Sequence, residues 1–484
     1  MTNQKQEINW EQVQEWDEKY LIRVSNTQDE YQPVPIESTE GDYLIMPDGT
    51  KLLDFFNQLY CVNIGQKHPK VNAAMKEALD RYGFVWDAYV SDYKARAAKL
   101  IMEDILGEEE WAGKIRFVST GSEAVETALN IARLYTGRPL IFSHEHGYHG
   151  WTNGAGAATR LRGYRSGLVG KDADTPPLQI PGSYNSSVVM APSPKAFRDE
   201  NGNYLKDENG ELLSVKYTRR MIENYGPESV AAVITEVSQG AGSAMHPFEY
   251  VPQIRKMTKE LGVLWINDEV LTGFGRTGKW FGYQHYGVQP DIITLGKGIS
   301  SSSLPAAGVV VSKEIAEFMD KHRWETVSTY AGHPVAMAAV CANLEVMMEE
   351  KLVEKARQAG EYMRRKFEAL QAKHKSIGSF DGYGVLWIVE LVDPKTNKPY
   401  VPLDRNFSHG TDFSQIPTQV IFNKAIEKGV LIGGVMPNTM RIGATLNVSK
   451  EDIDKAMDAL DYALTYLESG EWQQQDQGQE VGQA

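Results

Sequence analysis

Cysteine is scarce: the 484 residues hold two, Cys61 and Cys341. A pair so far apart offers neither a disulfide framework nor the ligand spacing of a zinc site, and a reducing compartment is expected. Long apolar runs are missing as well. None approaches the ~18 residues of a membrane span, and the start Met1-Thr2-Asn3-Gln4-Lys5 lacks the apolar core of a secretory leader. A cytoplasmic protein with no membrane partner is therefore expected. Basic residues are in deficit, 50 Lys and Arg against 64 Asp and Glu, for a net charge of −14. Such a surface repels phosphate backbones and anionic lipid, so no nucleic-acid partner is expected either.

What is present is ordinary for a globular chain, 42% hydrophobic and 24% charged. At ~150 residues per domain, two or three domains are expected. Asp48-Gly49 between Tyr43-Leu44-Ile45 and Lys51-Leu52-Leu53 reads as a hairpin. Val71 to Tyr82 has helical apolar spacing. Beyond it, short apolar runs at Ile115 to Val118, Leu140 to Phe142, Val230 to Ile234, Val263 to Ile266, Ile292 to Leu295 and Ala307 to Val311 alternate with helical patterns such as Ser122 to Tyr135 and Val251 to Leu261. Runs apolar on both faces suit strands of a covered parallel sheet, so the fold class is α/β with a large, mainly parallel sheet. Residues 169–216 read as an excursion whose two Asp-Glu-Asn-Gly copies, Asp199 to Gly202 and Asp207 to Gly210, predict tight surface turns. After about residue 330 long helices lead into strands around Leu386 to Leu391 and Val430 to Ile432. Ser449 and Asp452 then cap a helix buried through Ile453, Met457, Leu460, Leu464 and Leu467. The expected organisation is a segment 1–70 associated with the small domain, a large α/β domain 71–330, a smaller α+β domain 331–470, and a Gln-rich disordered tail 471–484.

The most informative stretch runs from Trp265 to Gly298. Asp268 follows one buried strand, and Lys297 follows another between Gly296 and Gly298. In open α/β sheets ligands gather at such strand ends. A carboxylate and a lysine facing one pocket are what pyridoxal 5′-phosphate requires. A desolvated lysine amine bonds to the cofactor aldehyde. The carboxylate keeps the ring nitrogen protonated, so the ring draws electrons. The plainer alternative is a surface lysine in a glycine turn beside a strand-end aspartate.

The same stretch resembles the signature of the class III (omega-type) aminotransferases, which use a fold-type I pyridoxal phosphate scaffold. Other family segments follow in order. By that resemblance Lys297 and Asp268 are the catalytic pair. Gly121 and Ser122, in Ser119-Thr-Gly-Ser-Glu-Ala124, belong to the phosphate cradle, and a strand–glycine–helix turn suits an anion. Tyr148, in Gly147-Tyr-His-Gly150, stacks on the cofactor ring, and Glu236 and Val270 complete the cofactor contacts. Thr329, in Ser328-Thr-Tyr-Ala-Gly-His-Pro334, reaches the phosphate of a neighbouring subunit, which implies a homodimer or dimer-based tetramer with shared active sites. Arg441 binds the substrate carboxylate, and Tyr60 and Trp86 line the substrate pocket. Plainer roles stay open for each of these: a helix cap for Ser122, a turn for Thr329, core packing for the aromatics. His144, Glu145, His146 and His149 do not have metalloprotease spacing, and no metal is expected.

Departures from the family pattern bear on substrate. Val237 stands where a proline is usual, Ala241 replaces a glutamate that pairs with the arginine in the ornithine branches, and Leu271 replaces a glutamine. Arg441 then lacks a switchable partner and stays available to an anionic group. Arg160 and Leu161 to Ser166 add a basic cluster, a solvated face or a grip for an acidic substrate. Read from about Tyr43 to Trp472, the chain most resembles the taurine:pyruvate branch, which implies an omega-amino donor and pyruvate as acceptor. Open alternatives are β-alanine, 4-aminobutyrate or another amine as donor, a racemase or decarboxylase on the same fold, and a non-catalytic binding protein.

Overall fold

The computed structural model describes residues 8–22, 34–160, 187–199, 202–240, 244–401 and 416–473. Its centre is a seven-stranded sheet of β1 (Ala112–Val118), β2 (Leu140–His144), β3 (Val188–Ala191), β4 (Val230–Glu236), β5 (Leu264–Asp268), β6 (Ile292–Leu295) and β7 (Ala307–Ser312). The spatial order is β1-β7-β6-β5-β4-β2-β3. β3, β2, β4, β5 and β6 run parallel, and β7 is antiparallel to both its neighbours. The expected mainly parallel sheet is therefore present. β3 was not expected as a strand; it lies in the excursion 169–216, where Val188-Val-Met-Ala191 is too short to stand out.

Both faces of the sheet are covered, which explains its doubly apolar strands. Val233, Trp265, Ile293 and Val310 enter one core, packed by the helices Tyr250–Leu261 and Pro334–Glu349. Ile234, Ile266, Ile292 and Val309 enter a second core under the helix Gly121–Thr136. Alternation along each strand sends neighbours to opposite faces.

The hairpin at Asp48-Gly49 forms as read, with Tyr43 opposite Leu53. Its second strand, Lys51–Asp54, also pairs in parallel with Val430–Leu431. Leu386–Leu391 pairs with Thr439–Gly443 in a separate four-stranded sheet, against which the helix Leu352–Lys373 packs; the helix Lys450–Ser469 has its expected Ser449 cap. The Asp207 to Gly210 turn closes with Gly210 donating to the Asp207 carbonyl at 3.0 Å. Part of the first copy, residues 200–201, lies outside the described residues, as do Leu161 to Ser166 and Ala241. Glu471–Gln473 form a helical turn that buries Trp472, so the order extends past the expected start of the tail; 474–484 lie outside the described residues. Among the described residues no helix is long and apolar enough to cross a membrane.

One segment departs from ordinary backbone. Asn57, Gln58, Leu59 and Tyr60 have φ of +49°, +47°, +61° and +63°. Left-handed conformation costs about 1–2 kcal/mol per non-glycine residue. Four in a row persist only where the surroundings hold them.

Candidate active site

The carboxyl ends of β4, β5 and β6 carry the site. Register sets Glu236, Asp268 and Thr294 side by side on adjacent strands. Lys297 follows three residues after Thr294, with φ of +42°. Gly298 after it cannot carry a side chain, because a Cβ there would sit 2.3 Å from Asn63 Nδ2.

Asp268 is buried and fully engaged. Its Oδ1 accepts from the Thr294 hydroxyl at 2.8 Å and from the Val270 amide at 3.1 Å. Its Oδ2 meets His149 Nδ1 at 2.7 Å. Burial alone would lower the His149 pKa, but Asp268, by hydrogen bond and charge, and the more distant Glu236 outweigh it, and the net shift is upward. His149 is held by its own backbone amide, which donates to Thr159 Oγ1 at 2.9 Å. Glu236 accepts from the amides of Tyr148 at 3.0 Å and Gly240 at 2.9 Å, and its pKa is pushed up to about 7 by burial, an effect that His149 opposes.

Sequence reading had weighed His149 only as a metal ligand. The structure makes it the partner of Asp268, delivered by the turn after β2. Gly147 permits the approach, since a Cβ there would lie 3.1 Å from His149 Nε2. Position was the available signal: His149 follows a strand that sits two places from β5, across β4.

The helix over this pocket starts one residue earlier than the sequence suggested. Thr120, not Ser122, is the cap, its hydroxyl accepting from the Glu123 amide at 3.2 Å while Glu123 Oε2 accepts from Ser119 N at 2.9 Å. Thr is a good cap, and Glu123 satisfies the amide just before it. Gly121 and Ser122 thus occupy the first helical turn, where amides have no acceptor within the helix. Gly150 turns tightly onto Ser122, with Ser122 Oγ accepting from Trp151 N at 3.3 Å. Val270 packs between Gly121 and Gly296; a Cβ on either would lie 3.0 Å and 3.1 Å from Val270 Cγ1. The result is a bare-backbone cradle at a helix N-terminus beside a buried carboxylate and a lysine. A phosphate, a ring nitrogen and an aldehyde find matching partners in those three features, so the residues fit pyridoxal phosphate.

Arg441 stands on the strand Thr439–Gly443 and is buried. Its guanidinium lies 4.5 Å over the Tyr60 ring, whose hydroxyl donates to the Arg441 carbonyl at 2.8 Å. Burial pushes the Tyr60 pKa up to about 12, keeping the phenol protonated. Among the described residues no carboxylate pairs with Arg441, and its Nε has no hydrogen-bond partner. A Cβ on Gly240 would lie 2.6 Å from Leu271 Cδ2, 3.3 Å from an Arg441 terminal nitrogen and 3.4 Å from Glu236 Oε1, so these three side chains converge. Tyr60, Leu271, Leu386 and Phe56 form one apolar cluster around the cation.

Trp86 is not brought to Tyr60 within the chain. It is exposed and packs edge-on to Tyr89, in a segment whose Phe84 touches Tyr330 and His333. Thr329 is exposed on that same patch. Tyr148 is half-buried, its amide tied to Glu236. Arg160, one end of the basic cluster, is bound to the Val188 carbonyl at 2.8 Å and to Ser143 Oγ at 3.2 Å.

The family model for class-III aminotransferases matches residues 24–464. The crystal structure of an S-selective transaminase from Bacillus megaterium is 78% identical, covers 96% of this chain and 100% of that one, and superposes with a TM-score of 0.94. An S-selective transaminase from Arthrobacter sp. with alanine bound is 77% identical over the same shares, also with a TM-score of 0.94. A putrescine–pyruvate aminotransferase of Pseudomonas aeruginosa is 32% identical over 75% of this chain and 78% of its own. The chain belongs to the class-III aminotransferases, pyridoxal-phosphate-dependent enzymes of fold type I.

Proposed function

We propose that the protein is an S-selective amine transaminase using the alanine–pyruvate couple. The observation that carries this is Arg441, a buried guanidinium without a carboxylate partner among the described residues, set in an apolar wall of Tyr60 and Leu271. One half-reaction handles a carboxylate and the other an amine without one. A cation able to form two parallel hydrogen bonds serves the first. Leu271 and its apolar neighbours Leu386 and Phe56 serve the second. The identity to two S-selective transaminases, one with alanine bound, supports the same assignment.

When bound, pyridoxal phosphate supplies an aldehyde that links to amines and a ring that draws electrons from the substrate carbon. Lys297 Nζ takes a proton from the donor carbon in the first half-reaction and delivers one to the pyruvate carbon that becomes the alanine α-carbon in the second, the role of a positioned base and acid. Asp268, paired with His149 and Thr294, holds a proton at the ring nitrogen. Gly121 and Ser122 amides would hold the phosphate, with Glu236, Tyr148 and Val270 completing the pocket. Overall, an amine and pyruvate give a ketone or aldehyde and L-alanine.

The taurine donor implied by the branch resemblance stays within this reading, since Arg441 can also grip a sulfonate. A homodimer completing its sites with Thr329 and Trp86 is supported by the exposure of both residues on one aromatic patch. Alanine formation from pyruvate, measured with each enantiomer of 1-phenylethylamine, with taurine and with β-alanine, tests the donor. The S enantiomer should react and the R enantiomer should not. Turnover of taurine alone would establish the taurine reading, and no alanine from any donor would overturn the proposal.

A further inference from the structure

Tyr60 reaches Arg441 only because the chain before it turns left-handed, and one carboxylate holds that turn. Asp54 Oδ1 accepts from the amides of Phe56 at 3.1 Å and Asn57 at 2.7 Å. Its Oδ2 accepts from the Gln58 amide at 3.0 Å and from Gln58 Nε2 at 2.8 Å. Four donors converge on a buried side chain, three of them successive backbone amides. Such a nest forms only when the backbone curls around the anion. The turn delivers Tyr60 onto two glycines: a Cβ on Gly443 would lie 2.4 Å from Tyr60 Cδ1, and one on Gly433 would lie 2.6 Å from the Tyr60 hydroxyl. The ring therefore has one place to lie, beneath the guanidinium.

We propose that Asp54 is a positioning residue for Arg441: by holding the Asn57–Tyr60 turn it fixes the aromatic platform that aims the guanidinium, and so sets affinity for carboxylate-bearing substrates. The inference rests on Arg441 as carboxylate receptor. Nothing in it concerns the amine half-reaction, which does not use that cation.

The test uses cofactor-saturated enzyme and single-turnover half-reactions with alanine and with (S)-1-phenylethylamine, which has no carboxylate. Asp54→Asn replaces one accepting oxygen with a donor facing the Gln58 donors. The alanine half-reaction should lose about tenfold in kcat/KM, mainly through KM, while the phenylethylamine half-reaction changes by less than about twofold. Adding Leu59→Gly should recover most of that loss, because glycine adopts positive φ readily and Leu59 is exposed. Arg441→Lys is the benchmark. If it leaves alanine unaffected, the arginine reading fails and the proposal with it. If it weakens alanine and Asp54→Asn does not, the positioning role is overturned while the arginine reading stands. Equal losses with both amines also overturn it, since they mark a general structural role. Should Asp54→Asn fail to fold, Gln58→Ala decides, since it removes the side-chain donor to Asp54 Oδ2 at an exposed position: a loss of about threefold with alanine alone supports the proposal, and no loss or an equal loss overturns it.

Discussion

Replacing His149 by leucine isolates the contact that most constrains the candidate site. The substitution removes the 2.7 Å bond to Asp268 Oδ2 and keeps the volume apolar. Asp268 Oδ1 retains Thr294 and Val270, so half of the carboxylate stays satisfied. Breaking a buried charged pair costs about 3–5 kcal/mol when the survivor is left bare. With two donors remaining, about 2–3 kcal/mol is the better figure, the value for a hydrogen bond to a charged group. A domain of 150–250 residues loses ~2–4 °C of melting midpoint per kcal/mol, and this longer chain less, so a fall of about 2–6 °C is expected. The pH dependence is more telling. His149 has a pKa raised above its unfolded value of about 6.5. A raised folded pKa gives stability that is complete below the unfolded pKa and lost as pH rises through the folded one. The gap between wild type and His149→Leu should therefore be widest near pH ~6 and narrow towards pH ~9, read by melting of cofactor-free protein at both. A gap that is flat, or that widens with pH, refutes a charged His149–Asp268 pair.

Three further outcomes follow from named contacts. Gly121→Ala places a methyl 3.0 Å from the β-branched Val270, so cofactor affinity in titrations should fall about tenfold, ~1.4 kcal/mol, and Val270→Ala should restore it. Thr120→Ala removes the helix cap and should cost about 1 kcal/mol in denaturant unfolding of the cofactor-free protein. Arg276→Met strips a fully buried guanidinium from Asn57 Oδ1, the Tyr60 carbonyl, Asn63 Oδ1 and the Ala444 carbonyl. Unmet buried acceptors make this the most damaging change, about 3–5 kcal/mol in the same assay.

The parts legible in the sequence were those written locally. Doubly apolar runs gave six of the seven strands of the central sheet, because a strand covered on both faces needs apolar residues at consecutive positions. Ser449 and Asp452 announced their helix for a similar reason: a cap and the amide that donates to it lie within one turn. Asp268 and Lys297 were visible through their place after strands. What stayed hidden depends on residues distant in sequence. His149 pairs with Asp268 across 119 positions. Arg276 ties Asn57 to Ala444. Asp54 is a local exception, but a left-handed run that continues from Asn57 through Gln58, Leu59 and Tyr60 contradicts the propensity of its last three residues. Tertiary holding overrides the sequence signal there, as strain at a functional site does.

The central claim is a covalent bond between the Lys297 side-chain nitrogen and the cofactor aldehyde. Borohydride reduction of cofactor-saturated protein, followed by digestion and mass mapping, reads that bond directly. The account predicts one reduced pyridoxyl adduct, on the peptide containing Lys297. An adduct on another lysine, or no adduct at full saturation, contradicts it.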